Sequence, residues 1–433
     1  MSFTPSITTE LVSGPSRSLV KSWFEKTRSV TDALIAPLSA EDQNVQSMPD
    51  ASPAKWHRAH TTWFFETFIL STTERNYTPY DPQYEFLFNS YYEAIGARHP
   101  RRERGFLTRP TADDIALYRA HVSLAIGDLI DGCSEAVWGG IRPLLVLGIN
   151  HEQQHQELLL MDILHAFSRN PIEPSYLNHI PLDASESSAL TWTKFSGGIH
   201  QIGQDVTPDT PFAYDNEGPR HDVIVQPFNL ANRTVTNREW IEFINDKGYE
   251  RPEFWLADGW TCAQSEGWTA PLYWREDSPG DWSAFGLRGR HPVYLDMPVC
   301  HVSHYEADAF ASWAGKHLPT ETQWEIAALD KPIEGNLLPY GAYRPSVSTP
   351  TLEVEQLFGD VWEHTRSPYT PYPGFKAASG AVGEYNGKFM SNQMVLRGGS
   401  CVTPGSHLRK TYRNFFYSHQ RWMFAGVRLA EDA

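Results

Sequence analysis

Residues 151–157 read His151-Glu152-Gln153-Gln154-His155-Gln156-Glu157. Two histidines four apart on a helix lie one above the other, so both imidazoles can converge on one metal ion. Leu144, Leu147 and Gly148 precede the pair at helical spacing and Leu158 follows it, which puts both histidines on the apolar, inward-facing stripe. Two hydrogen-bonded core histidines would satisfy the same spacing. The surrounding Glu152, Gln153, Gln154, Gln156 and Glu157 favour a site, because such groups can orient imidazole N–H groups or a substrate and a plain core helix does not carry them.

Working outward, the pair sits in an expected helix over residues 137–167, and three earlier segments share its period. Residues 16–38 carry Leu19, Trp23, Thr27, Val30 and Leu34 on one face. A second helix starts at Ser52-Pro53, with Ser52 as N-cap and Pro53 at the first helical position, and runs to about residue 70. A third opens at Thr111-Ala112-Asp113-Asp114, close to a capping box, with Ile115, Tyr118, Val122, Ala125 and Leu129 on its stripe. Four such helices predict a bundle, and bundle cores are common places for metals. In the second helix Trp56, His60, Trp63 and Thr67 share a face, so His60 is the third ligand candidate, with His57 as its alternative. Residues 151–155 also fit H-E-x-x-H, the zinc hydrolase pattern in which Glu152 would be the general base.

At 433 residues the chain is too long for one ordinary core, and two domains are expected. No apolar run reaches 18 residues, so no membrane span is expected. The first residues, MSFTPSITTELVSGPSRS, lack a basic stretch followed by an apolar one, and the cytoplasm is the expected compartment. Cys133, Cys262, Cys300 and Cys401 are scattered without a C-x-x-C pair, which argues against a disulfide framework or a thiolate zinc site. A net charge of -16 opposes binding to nucleic acid or anionic membrane, so the expected partners are small molecules.

The link between the second and third helices, residues 72–109, is longer than ordinary loops and suggests a functional element. It holds Tyr91 and Tyr92, then Arg98, Arg101, Arg102 and Arg104, a combination suited to a small carboxylate substrate. Asn170-Pro171 ends the bundle. Pro174, Pro181 and Ala184-Ser185-Glu186-Ser187-Ser188 read as a linker. The expected organisation is a helical domain over 1–175, a linker over 176–190 and a mixed α and β domain over 191–433. In that last domain, capping boxes at Thr236–Glu239 and Thr320–Gln323 each announce a helix.

Gly197-Gly198-Ile199-His200-Gln201-Ile202-Gly203, Val235-Thr236-Asn237-Arg238-Glu239-Trp240, Pro298-Val299-Cys300-His301-Val302-Ser303, Leu318-Pro319-Thr320-Glu321-Thr322-Gln323-Trp324-Glu325, Gly359-Asp360-Val361-Trp362-Glu363 and Arg397-Gly398-Gly399-Ser400 together resemble the formylglycine-generating-enzyme, or sulfatase-modifying-factor, domain. The resemblance covers most of residues 190–430 and implies a C-type-lectin-like fold. A formylglycine-generating oxidase works through a cysteine pair near its C-terminus. Only Cys401 lies there, so that oxidase activity is not expected. The first half resembles the DinB-like four-helix bundle, through residues 59–66 and 151–157. The fold class implied is α followed by α+β, and the pair of domains resembles the EgtB-type sulfoxide synthases of ergothioneine biosynthesis over nearly the whole chain.

That resemblance implies a non-haem iron oxidoreductase with His60, His151 and His155 as ligands of Fe(II) and O2 as co-substrate. Its reaction would join a thiol sulfur to the imidazole carbon of hercynine, the trimethylated histidine, and oxidise the sulfur to a sulfoxide. Tyr91 and Tyr92 match the paired tyrosines of the cysteine-using branch, one of them as proton or hydrogen donor. Gln154 matches a position that contacts the substrate imidazole. The stretch from Tyr412 to Trp422 resembles the substrate-lining loop. Its Asn414 and Phe415 suit a trimethylammonium betaine, and Arg421 lies in the same loop. Phe416 stands where the γ-glutamylcysteine-using branch has an acidic residue and Gln420 where that branch has an arginine, which implies cysteine as donor. Arg101 is then the candidate for the cysteine carboxylate, with Arg104 in reserve. A relative using a selenium donor to form a C–Se bond is the main alternative. A zinc hydrolase and a non-catalytic lectin-like binding module with a structural zinc are the others.

Overall fold

The computed structural model describes residues 14–73, 77–180, 186–205, 210–339, 341–348, 354–378 and 381–433. The segment 1–13 read for a signal sequence, residues 74–76 of the long link, and Pro181, Ala184 and Ser185 of the linker lie outside them. The chain forms two compact units. One comprises Met1–Ile163, Asp205–Gly218 and Lys376–Tyr385, the other Leu164–Gln204, Pro219–Phe375 and Asn386–Ala433. Two segments from beyond the expected linker thus join the helical unit.

The helical unit is built on α1 (Arg17–Ile35), α2 (Ala54–Phe65), α3 (Ala112–Gly132) and the long α4 (Glu135–Ser168). Thr111 and Asp114 form the reciprocal cap expected at the start of α3. The start of α2 differs from expectation. Ser52 is no side-chain cap: its hydroxyl accepts from Arg104 at 2.9 Å and its N–H donates to Asp162 at 2.8 Å. The buried face of α1 is also turned from the expected one. Val20, Phe24, Thr27, Arg28, Thr31, Leu34 and Ile35 are buried, whereas Leu19 is 42% exposed. The difference is electrostatic, because Arg28 and Thr31 turn inward to a carboxylate on α4. Gly148 lets α4 approach α2 closely: a Cβ there would lie 2.7 Å from the Phe65 ring and 2.9 Å from that of Phe64.

After Phe65 the second helix continues as a π turn, Glu66–Leu70. Glu66 is buried, and its carboxylate accepts from Tyr77 Oη at 2.8 Å, the Tyr80 N–H at 2.9 Å and Tyr118 Oη at 2.5 Å. It thereby ties the long link to both α2 and α3.

The second unit is rich in short strands. β1 (Trp192–Phe195) and β12 (Ala430–Asp432) flank β4 (Phe228–Ala231), all antiparallel. β2 (Gly198–Ile202) and β3 (His221–Val225) form a hairpin, and β5 (Trp274–Ser278), β6 (Asp281–Gly286) and β7 (Gly289–Pro292) a meander. A fourth sheet runs β10 (Asn414–Tyr417), β9 (Gln393–Arg397), β8 (Trp362–Pro368), β11 (Ala425–Gly426), with β11 parallel to β8. Helices α5 (Asn237–Asn245), α6 (Ala257–Ser265), α7 (His304–Trp313) and α8 (Glu321–Ala328) complete it. The boxes expected at Thr236 and Thr320 both close, on Glu239 and Gln323.

Its core centres on Trp240, stacked on Phe310 with centroids 4.8 Å apart, among Phe243, Val299, Val302 and Val427. Several acids of the quoted motifs are consumed in buried ion pairs: Glu325 with Arg397, Glu363 with Arg428 and Glu321 with Arg413. No helix among the described residues is long and apolar enough to cross a membrane. Replacing Trp240 by Ala is expected to cost about 3–5 kcal/mol, read as a lowered midpoint in urea unfolding followed by circular dichroism.

Candidate metal centre

His60 lies on α2 without exposure to solvent. Its ring is stacked between Trp56 and Trp63, at 4.6 and 5.4 Å between centroids. A carbonyl oxygen only accepts, so the 2.6 Å contact to the Phe88 carbonyl puts the hydrogen on His60 Nδ1. Its Nε2 is buried without a partner. His151 on α4 is buried against Phe64 and Tyr385, at 4.9 and 5.6 Å, and neither of its ring nitrogens has a hydrogen-bond partner. His155 follows one turn later. One ring nitrogen from each of the three histidines lies within 4.8 Å of the others.

Burial pushes the pKa of His151 down to about 3 and those of His60 and His155 well below the ordinary imidazole value. All three rings are therefore neutral at neutral pH, the form in which imidazole ligates metal. Leaving buried polar nitrogens unpaired is costly, and a divalent cation shared among the three rings relieves that cost for His60 and His151. The donor set fits a transition metal ion with open positions for other ligands. His57, the alternative candidate, does not join this group. Its Nδ1 lies 2.8 Å from His155 Nδ1 and its Nε2 lies 3.0 Å from Asp162 Oδ2.

Glu152 turns the other way. Its oxygens accept from Arg28 at 2.9 Å, Arg119 at 2.6 Å and Thr31 at 2.6 Å, all of them buried. Burial alone would raise its pKa, but the guanidiniums of Arg119 and Arg28 hold it down to about 2. A carboxylate so committed cannot serve as the base on a metal-activated water, which removes the support that H-E-x-x-H gave to a hydrolase.

The remaining candidates of this unit are placed as follows. Tyr92 is buried against Trp63, Phe68 and Tyr91, with centroids 5.7, 5.1 and 4.6 Å away. Burial raises the pKa of both tyrosines, so each keeps its phenolic hydrogen. Gln154 accepts a hydrogen bond from Tyr385. Tyr385 also meets Tyr91 edge-on at 6.2 Å and stacks on Tyr214 at 5.3 Å. Its neighbour Glu384 accepts from the N–H groups of Glu93 and Ala94, at 3.0 and 2.9 Å, which fastens this segment to the Tyr91-Tyr92 loop. Tyr385 escaped the sequence reading because no spacing links it to residues 151–155.

Arg101 is exposed and donates to the Asp50 carbonyl. Arg104 is 3% exposed, lies 3.3 Å over the Trp56 ring and donates to Ser52 Oγ and Ser90 Oγ. Among the described residues no carboxylate pairs with it. Asn414, Phe415, Phe416 and Arg421 fall in the second unit. Asn414 Oδ1 accepts from the Phe415 N–H at 3.0 Å, Phe415 stacks on Tyr369 at 4.1 Å and Phe416 meets Trp422 at 5.8 Å. The Arg421 guanidinium is committed to Glu306 at 2.7 Å.

Residues 189–336 and 330–433 match the sulfatase-modifying factor enzyme 1-like domain, and residues 24–159 match the DinB superfamily. The chain is 33% identical over 418 residues to a hercynine oxygenase of Mycolicibacterium smegmatis, covering 89% of this chain and 92% of that one. It is 32% identical over 408 residues to a hercynine oxygenase of Mycobacterium tuberculosis, with 89% and 92% covered. Ergothioneine biosynthesis protein 1 of Schizosaccharomyces pombe is 27% identical over 232 residues, 51% of this chain and 28% of its own length.

Two outcomes follow for this centre. Titration with Co(II), followed by its visible absorbance, is expected to give one ion per chain, and His60→Ala or His151→Ala to lower affinity beyond the ~10–100-fold that outer partners are worth. Glu152→Ala removes the ion-pair partner of buried Arg28 and one of the two carboxylates that Arg119 meets, and is expected to cost about 3–5 kcal/mol in chemical unfolding.

Proposed function

The chain belongs to the hercynine oxygenase family, and from that premise we propose that it is a non-haem iron, O2-dependent sulfoxide synthase acting on hercynine and cysteine in ergothioneine biosynthesis. The observation that carries this reading is the convergence of His60, His151 and His155, with ring nitrogens of His60 and His151 left without a partner. Fe(II) held by these rings would supply binding and reduction of O2 and a place for the thiolate. The overall change balances without a further reductant. The imidazole C–H and the S–H bonds are replaced by a C–S bond, the sulfur takes one oxygen atom, and the second leaves as water.

The chain's own residues place the substrates and move protons. Arg104 is a better carboxylate partner than Arg101. Its buried guanidinium forms no direct ion pair among the described residues, Asp162 acting on it only at longer range, and a bound carboxylate would provide one. Gln154, one residue from a ligand candidate, offers an amide to the substrate imidazole. Asn414 and Phe415 are assigned to the trimethylammonium end, and Phe416 to the choice of cysteine as donor, on the resemblance of their loop, with an aromatic face as the attraction for the cation. Tyr91 and Tyr92 keep their phenolic hydrogens, and Tyr385 donates its own to Gln154. Tyr385 is in ring contact with His151, so it joins the other two as a proton source.

The test is anaerobic loading with Fe(II), then O2 uptake and mass spectrometry with hercynine plus cysteine, γ-glutamylcysteine or a selenosugar. A cysteine adduct bearing one added oxygen, absent in His60→Ala, is the expected result. Dominant coupling to selenium would move the donor assignment. Arg104→Ala is expected to raise KM for the thiol by about 10–100-fold, the worth of a charged hydrogen bond. Among single Tyr→Phe variants at 91, 92 and 385, the proton donor is identified by a kcat loss of about 10²–10⁴-fold with KM kept.

A further inference from the structure

His57 is buried beside the three histidines, yet both of its nitrogens are already engaged, one with His155 and the other with Asp162. For an ionised Asp162 and a neutral His57 ring, the hydrogens in this chain of contacts follow from donor and acceptor chemistry. Asp162 Oδ2 accepts the Ser52 N–H at 2.8 Å and lies 3.0 Å from His57 Nε2. An ionised carboxylate only accepts, so His57 Nε2 carries a hydrogen. In the neutral ring, His57 Nδ1 then holds a lone pair and must accept. Its partner at 2.8 Å, His155 Nδ1, must therefore be the donor. That leaves the lone pair of His155 on Nε2, at the opposite side of the ring from the bond that anchors it.

Resting on the reading that His60, His151 and His155 hold a metal ion, we propose that Asp162 and His57 form a relay that fixes the tautomer and direction of His155, presenting Nε2 as its ligand atom. Both are positioning residues, since neither joins the converging group. Outer partners of metal-bound histidines are ordinarily a carboxylate, a carbonyl or a water. Here a second imidazole is interposed and the carboxylate lies one ring further out. His60 is fixed by the same logic through the Phe88 carbonyl, so two of the three rings present Nε2.

Helix geometry explains how the relay is assembled. Asp162 lies seven residues after His155 on α4 and returns to almost the same angle around a helix of about 3.6 residues per turn. His57 lies three residues before His60 on α2. One helix thus supplies a ligand and the carboxylate, and the facing helix supplies the imidazole between them.

The test uses the full chain and Co(II) binding read by absorbance, which does not depend on turnover. His57→Phe removes the acceptor and is expected to weaken binding by about 10–100-fold. His57→Asn restores an amide oxygen near the Nδ1 position and is expected to recover most of the loss. Equal affinity in wild type and His57→Phe, with binding still abolished in His151→Ala, would overturn the relay and leave the metal site standing. Wild-type protein that binds no Co(II) through the three histidines would instead overturn the reading on which the relay rests. Should His57→Phe fail to fold, nitrogen-15 NMR of the histidines in metal-free wild type decides. Hydrogen on His155 Nδ1 and on His57 Nε2 is expected; hydrogen on His155 Nε2 would overturn the relay.

Discussion

Glu152 carries a carboxylate to a place that water does not reach, and the helices around it are set by the need to neutralise it. α1 supplies Arg28 and Thr31, and α3 supplies Arg119. Taking such charges out of water costs several kcal/mol per ion, recovered only in good geometry, so α4 cannot rotate without losing the cluster. With Glu152 turned toward α1 and α3, His151 lies about 100° round the helix and faces α2. The ion cluster, as much as apolar packing, decides that the histidines of α4 meet His60.

Charge is treated differently in the second unit. Glu321, Glu325 and Glu363, which stand inside the motifs that identify the domain, are each neutralised by a buried arginine of that same unit. Those motif acids hold strands and helices together and have no spare valence for chemistry. Arg104 and the ring nitrogens of His60 and His151 are the opposite case, buried polar groups whose pairing the described chain leaves incomplete. Sorting buried polar groups by whether their partners are already present separates the framework from the reactive centre.

Much of this was legible in the residues. The i, i+4 histidines, the Trp-flanked His60 and the Thr-x-x-acid or Thr-x-x-Gln caps are local signals, and local geometry reproduces them. What escaped depends on partners distant in sequence. Leu19 looked like the core of α1 because apolar periodicity gives no weight to an inward arginine, and Arg28 is inward only because Glu152 waits 124 residues later. Ser52 had the composition of a cap, but its groups were claimed by Arg104 and Asp162. His57 could be weighed as a ligand yet not assigned its actual partners. Tyr385 reaches His151 across more than two hundred residues, and no short-range pattern encodes that contact.

Helix α4 therefore works as a phase gauge. The face bearing His151, His155 and Asp162 answers to α2 and that bearing Glu152 and Gln156 to α1 and α3, and an α-helix advances about 100° per residue. Inserting or deleting one residue between 151 and 162 would keep every side chain and still swing one set out of register with the others. The irregular π turn at Glu66–Leu70 is instead on α2, after His60, where the extra residue is taken up beyond the last ligand candidate of that helix. Chain length within α4 is thus as much a part of the site as the identity of its histidines.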